Sequence, residues 1–164
     1  MTEVYVAAGS NVRPRAHLRH ALGLLRETWP DLRVSSAYTN PAVGFDGEDF
    51  INLVVGFDTD ETLAGVLKRL HEIESACGRP RNAPKWAARS MDLDVLLYGD
   101  DVGEYPGAVL PRPDLVRRPY MLRPLAEIAP ALEHPTLRRT MAELWQAFDS
   151  AGHAMRPISL DEPD

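Results

Sequence analysis

The pattern of apolar and polar positions predicts four strands and two helices in the first part of the chain. Residues 4–8 form an unbroken apolar run, and the turn-forming Gly9-Ser10-Asn11 ends it. After Pro14, leucines recur at the spacing of one helix face, and a second stripe of this kind follows residue 61. The predicted strands cover residues 4–8, 32–38, 50–57 and 91–98, and the predicted helices cover about 14–29 and 61–77. This order is typical of an α+β fold of the ferredoxin-like βαββαβ type, a mostly antiparallel sheet flanked by helices.

The rest of the chain is predicted to add short helices and a tail. Residues 111–119 are broken by prolines, whereas 120–128 and 141–148 have helical periodicity. The segment 151–164 has few apolar side chains and two prolines, so we expect it to be flexible. We therefore interpret residues 1–150 as a single domain, a length that suits one hydrophobic core.

Cysteine usage and hydropathy favour a cytoplasmic protein. The lone Cys77 cannot form an internal disulfide, which suits a reducing compartment. The N-terminal residues lead directly into the first strand without the pattern of a signal peptide. No apolar run is long enough to span a bilayer, and the histidines are too scattered to suggest zinc. We expect a cytoplasmic monomer with no membrane partner.

Positive charge is concentrated in two segments, although the chain as a whole is acidic. The formal net charge of −6 argues against a general nucleic-acid binder. Residues 79–91 contain four basic and no acidic side chains, and residues 112–123 contain four arginines and one aspartate. Such clusters occur as solvated faces and also as sites for a local polyanion such as a nucleotide tail. Composition alone does not choose between these two interpretations.

Two aspartates follow the first basic segment directly. Asp92 and Asp94 begin the fourth predicted strand, where alternate side chains share a face. Their Cα atoms are then about 6.6 Å apart, a spacing at which both carboxylates can coordinate the same pair of metal ions. Magnesium prefers one or two carboxylates completed by water and substrate phosphates, and arginine matches phosphate oxygens. Acids beside bases therefore predict phosphoryl transfer, although an Asp-x-Asp pair also occurs as two solvated carboxylates at a strand end.

Other side chains have both a structural and a functional interpretation. Trp86 suits either a small core within a loop or a lid over a nucleotide, and Glu74 suits a helix surface where it pairs with arginines. Phe50 and Tyr120 are compatible with the core. An asparagine inside a strand, Asn52, needs hydrogen-bond partners that a flat heteroaromatic ligand could supply. The sequence lacks the signatures of P-loop proteins, dinucleotide-binding folds and protein kinases.

One long motif is more specific than any of these features. It runs Gly78-Arg79-x-Arg81, then Trp86-x-x-Arg89-x-x-Asp92-Leu93-Asp94. The accompanying pieces are Ala8-Gly9-Ser10-Asn11, Ser35-Ser36-Ala37-Tyr38, Phe50-Ile51-Asn52, Ile73-Glu74, Arg118 and Tyr120-Met121-Leu122-x-Pro124-Leu125-x-Glu127-Ile128-Ala129-Pro130. Together, from Val4 to about Ala131, these stretches resemble the 6-hydroxymethyl-7,8-dihydropterin pyrophosphokinase family of folate biosynthesis.

The resemblance implies a ferredoxin-like sandwich and an ATP-dependent diphosphotransferase. Enzymes of the family pass the β,γ-diphosphate of ATP to the primary alcohol of the pterin and release AMP, with ATP as co-substrate and two Mg²⁺ ions. It implies Asp92 and Asp94 as metal ligands and, together with Arg79 and Arg89, as catalytic residues. The implied ATP-binding residues are Leu67, His71, Glu74, Arg81, Lys85, Trp86, Arg112 and Arg118. The implied pterin-binding residues are Asn40, Pro41, Val43, Phe50, Asn52 and Tyr120, with Phe50 and Tyr120 on the two faces of the ring.

The chain departs from the family pattern at three places. Arg112, in Pro111-Arg112-Pro113, stands where members often have a histidine that contacts ATP phosphate. We predict that Arg112 is a functional substitute, because a guanidinium binds phosphate bidentately and stays charged. Asn40 stands where a threonine or another small polar residue is usual, and the loop at 44–49 is slightly short. These departures concern ATP affinity and the choice of alcohol, and they leave the metal pair intact.

Three alternative functions stay open at this point. The first is a divergent paralogue that acts on another pterin-like alcohol, and the second is a non-catalytic pterin- or nucleotide-binding protein. The third, a ferredoxin-like RNA-binding module, is disfavoured because the chain is acidic and lacks the aromatic motif of such domains. Retention of Asp92, Asp94, Arg79 and Arg89 favours an enzyme with small-molecule substrates and no nucleic-acid partner.

Overall fold

The computed structural model describes residues 1–40, 49–78, 91–148 and 155–164. The strands are β1 (Thr2–Ser10), β2 (Arg33–Val34), β3 (Ala37–Asn40), β4 (Phe50–Thr59), β5 (Asp92–Tyr98), β6 (Gly103–Tyr105), β7 (Ala108–Leu110) and β8 (Arg156–Ile158). The helices are α1 (Pro14–Thr28), α2 (Leu63–Ala76), α3 (Pro119–Ile128) and α4 (Met141–Ala147), with a short 3-10 helix at Pro113–Val116. Within these ranges, no helix is both long and apolar enough to cross a membrane.

The main sheet has the strand order β5-β1-β4-β3-β8, with β2 also paired to β4. Every pairing between the described strands is antiparallel. β1 lies between β4 and β5, and it pairs with β4 over its whole length. The predicted architecture of helices on a mostly antiparallel sheet is thereby confirmed.

Both faces of the sheet are covered, because successive side chains of a strand point to opposite faces. Val4 and Val6 of β1 pack in a core with α1 and α2. Tyr5 and Ala7 pack in a second core with α3 and α4. Burial on both faces explains why residues 4–8 show an unbroken apolar run and no alternation.

The single strand predicted over residues 32–38 is wrong in one respect, since the structure divides it into β2 and β3. Between them, the Ser35 N–H donates to the Val54 carbonyl at 2.9 Å, and the Ser35 hydroxyl accepts from the Val54 N–H at 2.9 Å. A side-chain hydroxyl thus takes the place of a backbone carbonyl in the ladder. The chain leaves the regular pairing at Ser36 and resumes it at Ala37.

The hairpin formed by β6 and β7 was not predicted from the sequence. Its turn contains Pro106 and Gly107, and Gly107 has a φ of 89°, which a glycine adopts without steric cost. A Cβ at Gly107 would lie 3.2 Å from Leu67 Cδ1, so the hairpin packs closely against α2. The turn-forming Pro106-Gly107 dipeptide was the available signal.

Residues 155–164 were expected to belong to a flexible tail, but the structure packs them against the rest of the chain. β8 pairs with β3, from Ala37 opposite Ile158 to Thr39 opposite Arg156, and so extends the sheet. At the end of this segment, the Asp164 carboxylate accepts from the N–H groups of Arg15 (2.7 Å) and Ala16 (3.0 Å). Arg13, the residue at the N-cap of α1, makes no capping bond through its side chain. Asp164 therefore satisfies donors at the start of this helix from a distant part of the chain.

Candidate active site

A cleft of about 300 Å³ opens at one end of the main sheet. It lies where β1 ends and where β4 and β5 begin, with the start of α3 above them. Its lining includes Gly9, Asn40, Phe50, Asn52, Asp92, Asp94, Arg112, Asp114 and Tyr120. Residues predicted for the metal, the phosphates and the pterin thus meet in one place, although they come from distant parts of the chain.

Strand register explains how the cleft is assembled. Gly9 on β1 is paired with Asn52 on β4 and with Asp92 on β5, so these three positions lie side by side across the sheet. A Cβ at Gly9 would lie 2.5 Å from Asn52 Oδ1. Gly9 therefore forms the floor of the cleft between the amide side and the acidic side. From the sequence, Gly9 was expected in a turn after the first strand, and this role was not predicted.

The acidic pair lies on one face of β5, as the alternation predicted. Asp92 and Asp94 are both half-buried and line the cleft, while Leu93 and Val95 are buried in the opposite core. Within the described ranges, no three His, Cys, Asp or Glu side chains come together as a metal-binding group. Two carboxylates on one face agree with magnesium, which completes its coordination with water and substrate phosphates.

Glu74 is placed differently from the other predicted site residues. It is only 5% exposed and lies on α2, on the side of the sheet away from the cleft. Its Oε2 accepts from the backbone N–H of Leu93 at 2.8 Å. Since β5 is an edge strand of the described sheet, this carboxylate satisfies a donor that lies between Asp92 and Asp94.

Arg112 reaches the acidic pair from the segment after β7. Its backbone N–H donates to the Leu96 carbonyl at 2.9 Å, which fixes the residue along the outer edge of β5. Its guanidinium lies 3.7 Å from Asp94 Oδ1 and 4.0 Å from Asp114 Oδ2. The Arg112 Nε is buried and has no hydrogen-bond partner among the described residues. The segment thus brings a cation to the carboxylate pair predicted to bind metal, and Asp114 is a neighbour that was not predicted from the sequence.

The amide side of the cleft carries the residues predicted for the pterin. Asn52 is buried, and its Nδ2 donates to Asn40 Oδ1, so the two carboxamides orient one another. Phe50 and Tyr120 both line the cleft, from β4 and α3 respectively. Burial raises the pKa of the Tyr120 phenol, the largest of several influences, so the hydroxyl stays protonated at neutral pH.

The remaining predicted residues lie elsewhere. Leu67 packs beside the β6–β7 hairpin, whereas His71 on α2 and Arg118 before α3 are exposed. A second cleft of about 490 Å³ follows the hairpin, and it shares Arg112 and Asp114 with the first. The predictions that fall outside the described residues concern Pro41, Val43, Arg79, Arg81, Lys85, Trp86 and Arg89.

Comparison with known proteins agrees with the motifs. The family model for 7,8-dihydro-6-hydroxymethylpterin-pyrophosphokinase (HPPK) matches residues 5–130. A 2-amino-4-hydroxy-6-hydroxymethyldihydropteridine pyrophosphokinase of Aquifex aeolicus is 32% identical over 145 residues, which cover 87% of this chain and 90% of the relative. Enzymes with the same description from Pseudomonas aeruginosa and Methylorubrum extorquens are 36% and 38% identical, over 80% and 88% of this chain and 83% and 94% of theirs.

A solved structure shares the fold. The Plasmodium falciparum HPPK-DHPS wild-type crystal structure aligns with a TM-score of 0.64 at 13% identity and covers 88% of this chain. This chain spans 44% of that longer protein. The structural likeness concerns the fold alone, whereas the family model and the sequence relatives establish descent. The chain belongs to the 7,8-dihydro-6-hydroxymethylpterin-pyrophosphokinase family.

Proposed function

We propose that this protein transfers the β,γ-diphosphate of ATP to the hydroxyl group of 6-hydroxymethyl-7,8-dihydropterin, giving the pterin diphosphate and AMP in folate biosynthesis. The observation that carries the proposal is the composition of the 300 Å³ cleft. One side offers a carboxylate pair and an arginine, and the other offers two carboxamides and two aromatic rings. That division suits a substrate with a charged, phosphate-bearing end and a flat heteroaromatic end.

The strand order supports the finer fold assignment to the ferredoxin-like sandwich. When β2 and β3 are counted as one interrupted strand, the first four strands have the spatial order fourth, first, third, second. α1 and α2 share one face of the sheet. This arrangement follows from two split βαβ units joined in sequence, and α3 and α4 then cover the other face.

On the phosphate side, Asp92 and Asp94 would hold divalent ions, two Mg²⁺ in our proposal. When bound, such ions neutralise the phosphate oxygens during transfer and help orient the attacking hydroxyl. The Arg112 guanidinium, 3.7 Å from Asp94 Oδ1, lies where phosphate oxygens would approach these ions. Its terminal nitrogens face Asp94 and Asp114 on a side chain that is 33% exposed, so they could donate to a phosphate oxygen bound beside the acidic pair.

On the pterin side, the residues can both orient and enclose a flat ring. Asn52 and Asn40 are coupled by a hydrogen bond, which leaves the Asn52 Oδ1 and the Asn40 Nδ2 to face other groups. Phe50 and Tyr120 approach from different elements and can stack on opposite faces of the ring. Holding the ring in this way would direct its hydroxymethyl group toward the acidic pair and convert a bimolecular transfer into a positioned one.

The nucleotide is proposed to lie in the second cleft, where Arg112 joins the two cavities. Leu67 packs against Gly107, which itself lines the second cleft, so α2 lies beside the proposed nucleotide site. In the same proposal, His71, Glu74 and Arg118 border this site, and Arg79, Arg81, Lys85, Trp86 and Arg89 complete it. Pro41 and Val43 are proposed to read the pterin edge through their backbone.

We also propose that the protein acts as a cytoplasmic monomer on small-molecule substrates. Cys77 is a buried free thiol, and burial raises its pKa, so it is an unreactive thiol that suits a reducing compartment. The exposed large apolar side chains of the described residues are spread over the N-terminus, the β6–β7 region and the segment before α4. Light scattering at micromolar concentration tests this point, since a mass of twice the chain's would contradict the monomer.

The proposed reaction is tested by following AMP release from ATP and Mg²⁺ with and without 6-hydroxymethyl-7,8-dihydropterin. We expect AMP and the pterin diphosphate to form in equal amounts, and only when the pterin is present. The Asp94→Ala protein should fail in this assay, whereas Asp100→Ala, which removes an exposed carboxylate after β5, should keep normal turnover.

The same assay separates the alternatives. Binding of ATP and pterin without any AMP release would favour a non-catalytic binding protein. AMP release that depends on another pterin-like alcohol, with no response to hydroxymethyldihydropterin, would favour a divergent paralogue.

A further inference from the structure

Glu127, near the C-terminal end of α3, holds strand β3 through both of its carboxylate oxygens. Its Oε2 accepts from the Ser36 backbone N–H at 2.7 Å and from the Ser36 hydroxyl at 2.9 Å. Its Oε1 accepts from the Tyr38 hydroxyl at 2.6 Å. The partners are about 90 residues apart in the sequence, so these contacts join two elements that local structure does not connect.

The interruption between β2 and β3 creates the need for this acceptor. Ser35 satisfies both polar groups of Val54 on β4, which leaves the next N–H, that of Ser36, outside the ladder of the sheet. β8 reaches β3 only from Ala37 onward, so it does not supply a partner for Ser36. The Glu127 carboxylate fills this position, and a backbone donor bound by a charged acceptor forms one of the stronger hydrogen bonds in proteins.

The surroundings keep Glu127 ionised and Tyr38 protonated. Burial alone would raise the pKa of Glu127, but the hydrogen bonds from Tyr38 and Ser36 and the charge of Arg123 outweigh it and lower the pKa. Burial, followed by the hydrogen bond to Glu127, raises the pKa of Tyr38. Arg123, one helical turn before Glu127, lies over the Tyr38 ring at 4.6 Å from its centroid. α3 therefore presents a matched acid and base to one tyrosine of β3.

The same two elements both line the proposed pterin site, through Tyr120 and Asn40. Tyr120 lies seven positions before Glu127 on α3, and this spacing brings both side chains to one helix face. Asn40 lies two positions after Tyr38 on β3, which places both on one strand face. Each contact residue thus shares a rigid element and a face with a residue that lines the cleft. The contacts of Glu127 and Arg123 with Tyr38 therefore join the element that carries Tyr120 to the element that carries Asn40.

We infer that Glu127 is a positioning residue for the pterin: by binding Ser36 and Tyr38, it fixes the distance between the aromatic wall on α3 and the carboxamide wall on β3. This inference rests on the proposed function, because it names a residue that shapes the pterin side of the same site. Among the described residues, the polar partners of Glu127 are Ser36, Tyr38 and Arg123, and none of them belongs to the acidic pair, so its influence should fall on the pterin and not on ATP.

The chain offers a closely matched control for Glu127→Gln. Glu143, in the capping box of α4, accepts from the backbone N–H of Thr140 at 3.0 Å and from its hydroxyl at 2.9 Å. This is the same pair of donors that Ser36 offers to Glu127, but it lies within one helix turn and away from the cleft. Glu143→Gln should therefore lower stability through the same chemistry without altering the pterin site.

The experiment measures KM for the pterin, KM for ATP and kcat in the natural protein, in Glu127→Gln and in Glu143→Gln, at a temperature where thermal melts show all three folded. For Glu127→Gln we expect KM for the pterin to rise about tenfold, since three hydrogen bonds lose their charged acceptor, while KM for ATP stays within about twofold. Glu143→Gln should leave both KM values unchanged. An unchanged KM for the pterin in Glu127→Gln, or an equal rise in both KM values, overturns the inference.

A milder variant covers the case in which Glu127→Gln does not fold. Tyr38→Phe removes one of the three hydrogen bonds and keeps the ring beneath Arg123, so it should raise KM for the pterin about threefold and leave KM for ATP unchanged. If Tyr38→Phe changes neither value, the inference is wrong. If the natural protein releases no AMP with the pterin present, the proposed function itself fails, and that outcome is distinct from any difference among the variants.

Discussion

Replacing Gly9 by alanine should weaken the pterin interaction selectively, because the new methyl group enters the floor of the cleft. An added Cβ would lie 2.5 Å from Asn52 Oδ1, well inside ordinary van der Waals contact. The backbone of Gly9 has no left-handed conformation that would strain an alanine. The cost therefore falls on Asn52, which must move its carboxamide by about 1 Å to restore a normal contact.

The size of the effect follows from how Asn52 is held. The residue is only 8% exposed, so its carboxamide cannot simply turn into solvent. A shift of its carboxamide disturbs the hydrogen bond to Asn40 and the proposed hydrogen bonds to the pterin edge. Losing or orphaning such buried bonds costs about 1.5–3 kcal/mol, which corresponds to a rise of about 10–150-fold in KM for the pterin.

Gly23→Ala provides the control for this substitution. Gly23 lies on the exposed side of α1, and a Cβ there would meet nothing within 4 Å. Alanine in a helix interior is more favourable than glycine by about 0.5–1 kcal/mol, so this variant should be slightly more stable and kinetically normal. Steady-state kinetics with each substrate varied, together with thermal melts, would measure both effects. A Gly9→Ala protein that melts normally and keeps its KM for the pterin would refute the proposed contact between this floor and the substrate.

Three further predictions concern charge. Asp94→Ala should reduce turnover at least about a thousandfold, because metal-based charge neutralisation is worth several kcal/mol in phosphoryl transfer; near-normal turnover in saturating Mg²⁺ would remove Asp94 from the metal site. Arg112→Ala should weaken ATP binding about tenfold in calorimetric titration, since the charged guanidinium loses a phosphate contact, and equal affinities would mean that Arg112 does not reach the phosphates. His134 is buried and accepts through Nδ1 from the N–H of Leu137 at 3.1 Å, and burial lowers its pKa from the ordinary 6.5. The stabilising effect of the neutral imidazole is therefore fully present above pH 6.5 and is lost as the pH falls through the lowered pKa. The free energy of unfolding should consequently fall more steeply between about pH 7 and 5 in the natural protein than in His134→Asn, which keeps an acceptor but does not titrate. Parallel pH profiles of the two proteins would contradict this assignment.

Local patterns in the sequence were sufficient for the main elements of the fold. Helices α1 and α2 and strands β1, β4 and β5 were predicted within a few residues of their bounds. Each of these elements buries an apolar stripe or run that is legible within a short window. The shared face of Asp92 and Asp94 follows from the two-residue period of a strand, so the acidic pair was also visible in the sequence.

Where a local pattern was overruled, the cause was a contact with a distant residue. The predicted strand over 32–38 is interrupted because Ser35 bonds to Val54, and Ser36 bonds to Glu127. The expected tail is held over residues 155–164 because β8 finds an open edge of β3 and Asp164 finds the uncapped start of α1. The composition of residues 155–164 does not reveal that β3 and the start of α1 bind this segment. Its polar residues would be the same if they were hydrogen-bonded to water.

For the candidate site, the sequence by itself determined the chemical types and the tertiary structure decided their neighbours. Motifs identified the acids, the amides and the aromatic residues, and the departure at Arg112 was visible from the chain alone. That Gly9 lies between Asn52 and Asp92 was settled only by the register of three strands. Periodicity tells which face a side chain occupies, but the pairing of one element with another depends on the packing of both cores, which no single stretch of sequence contains.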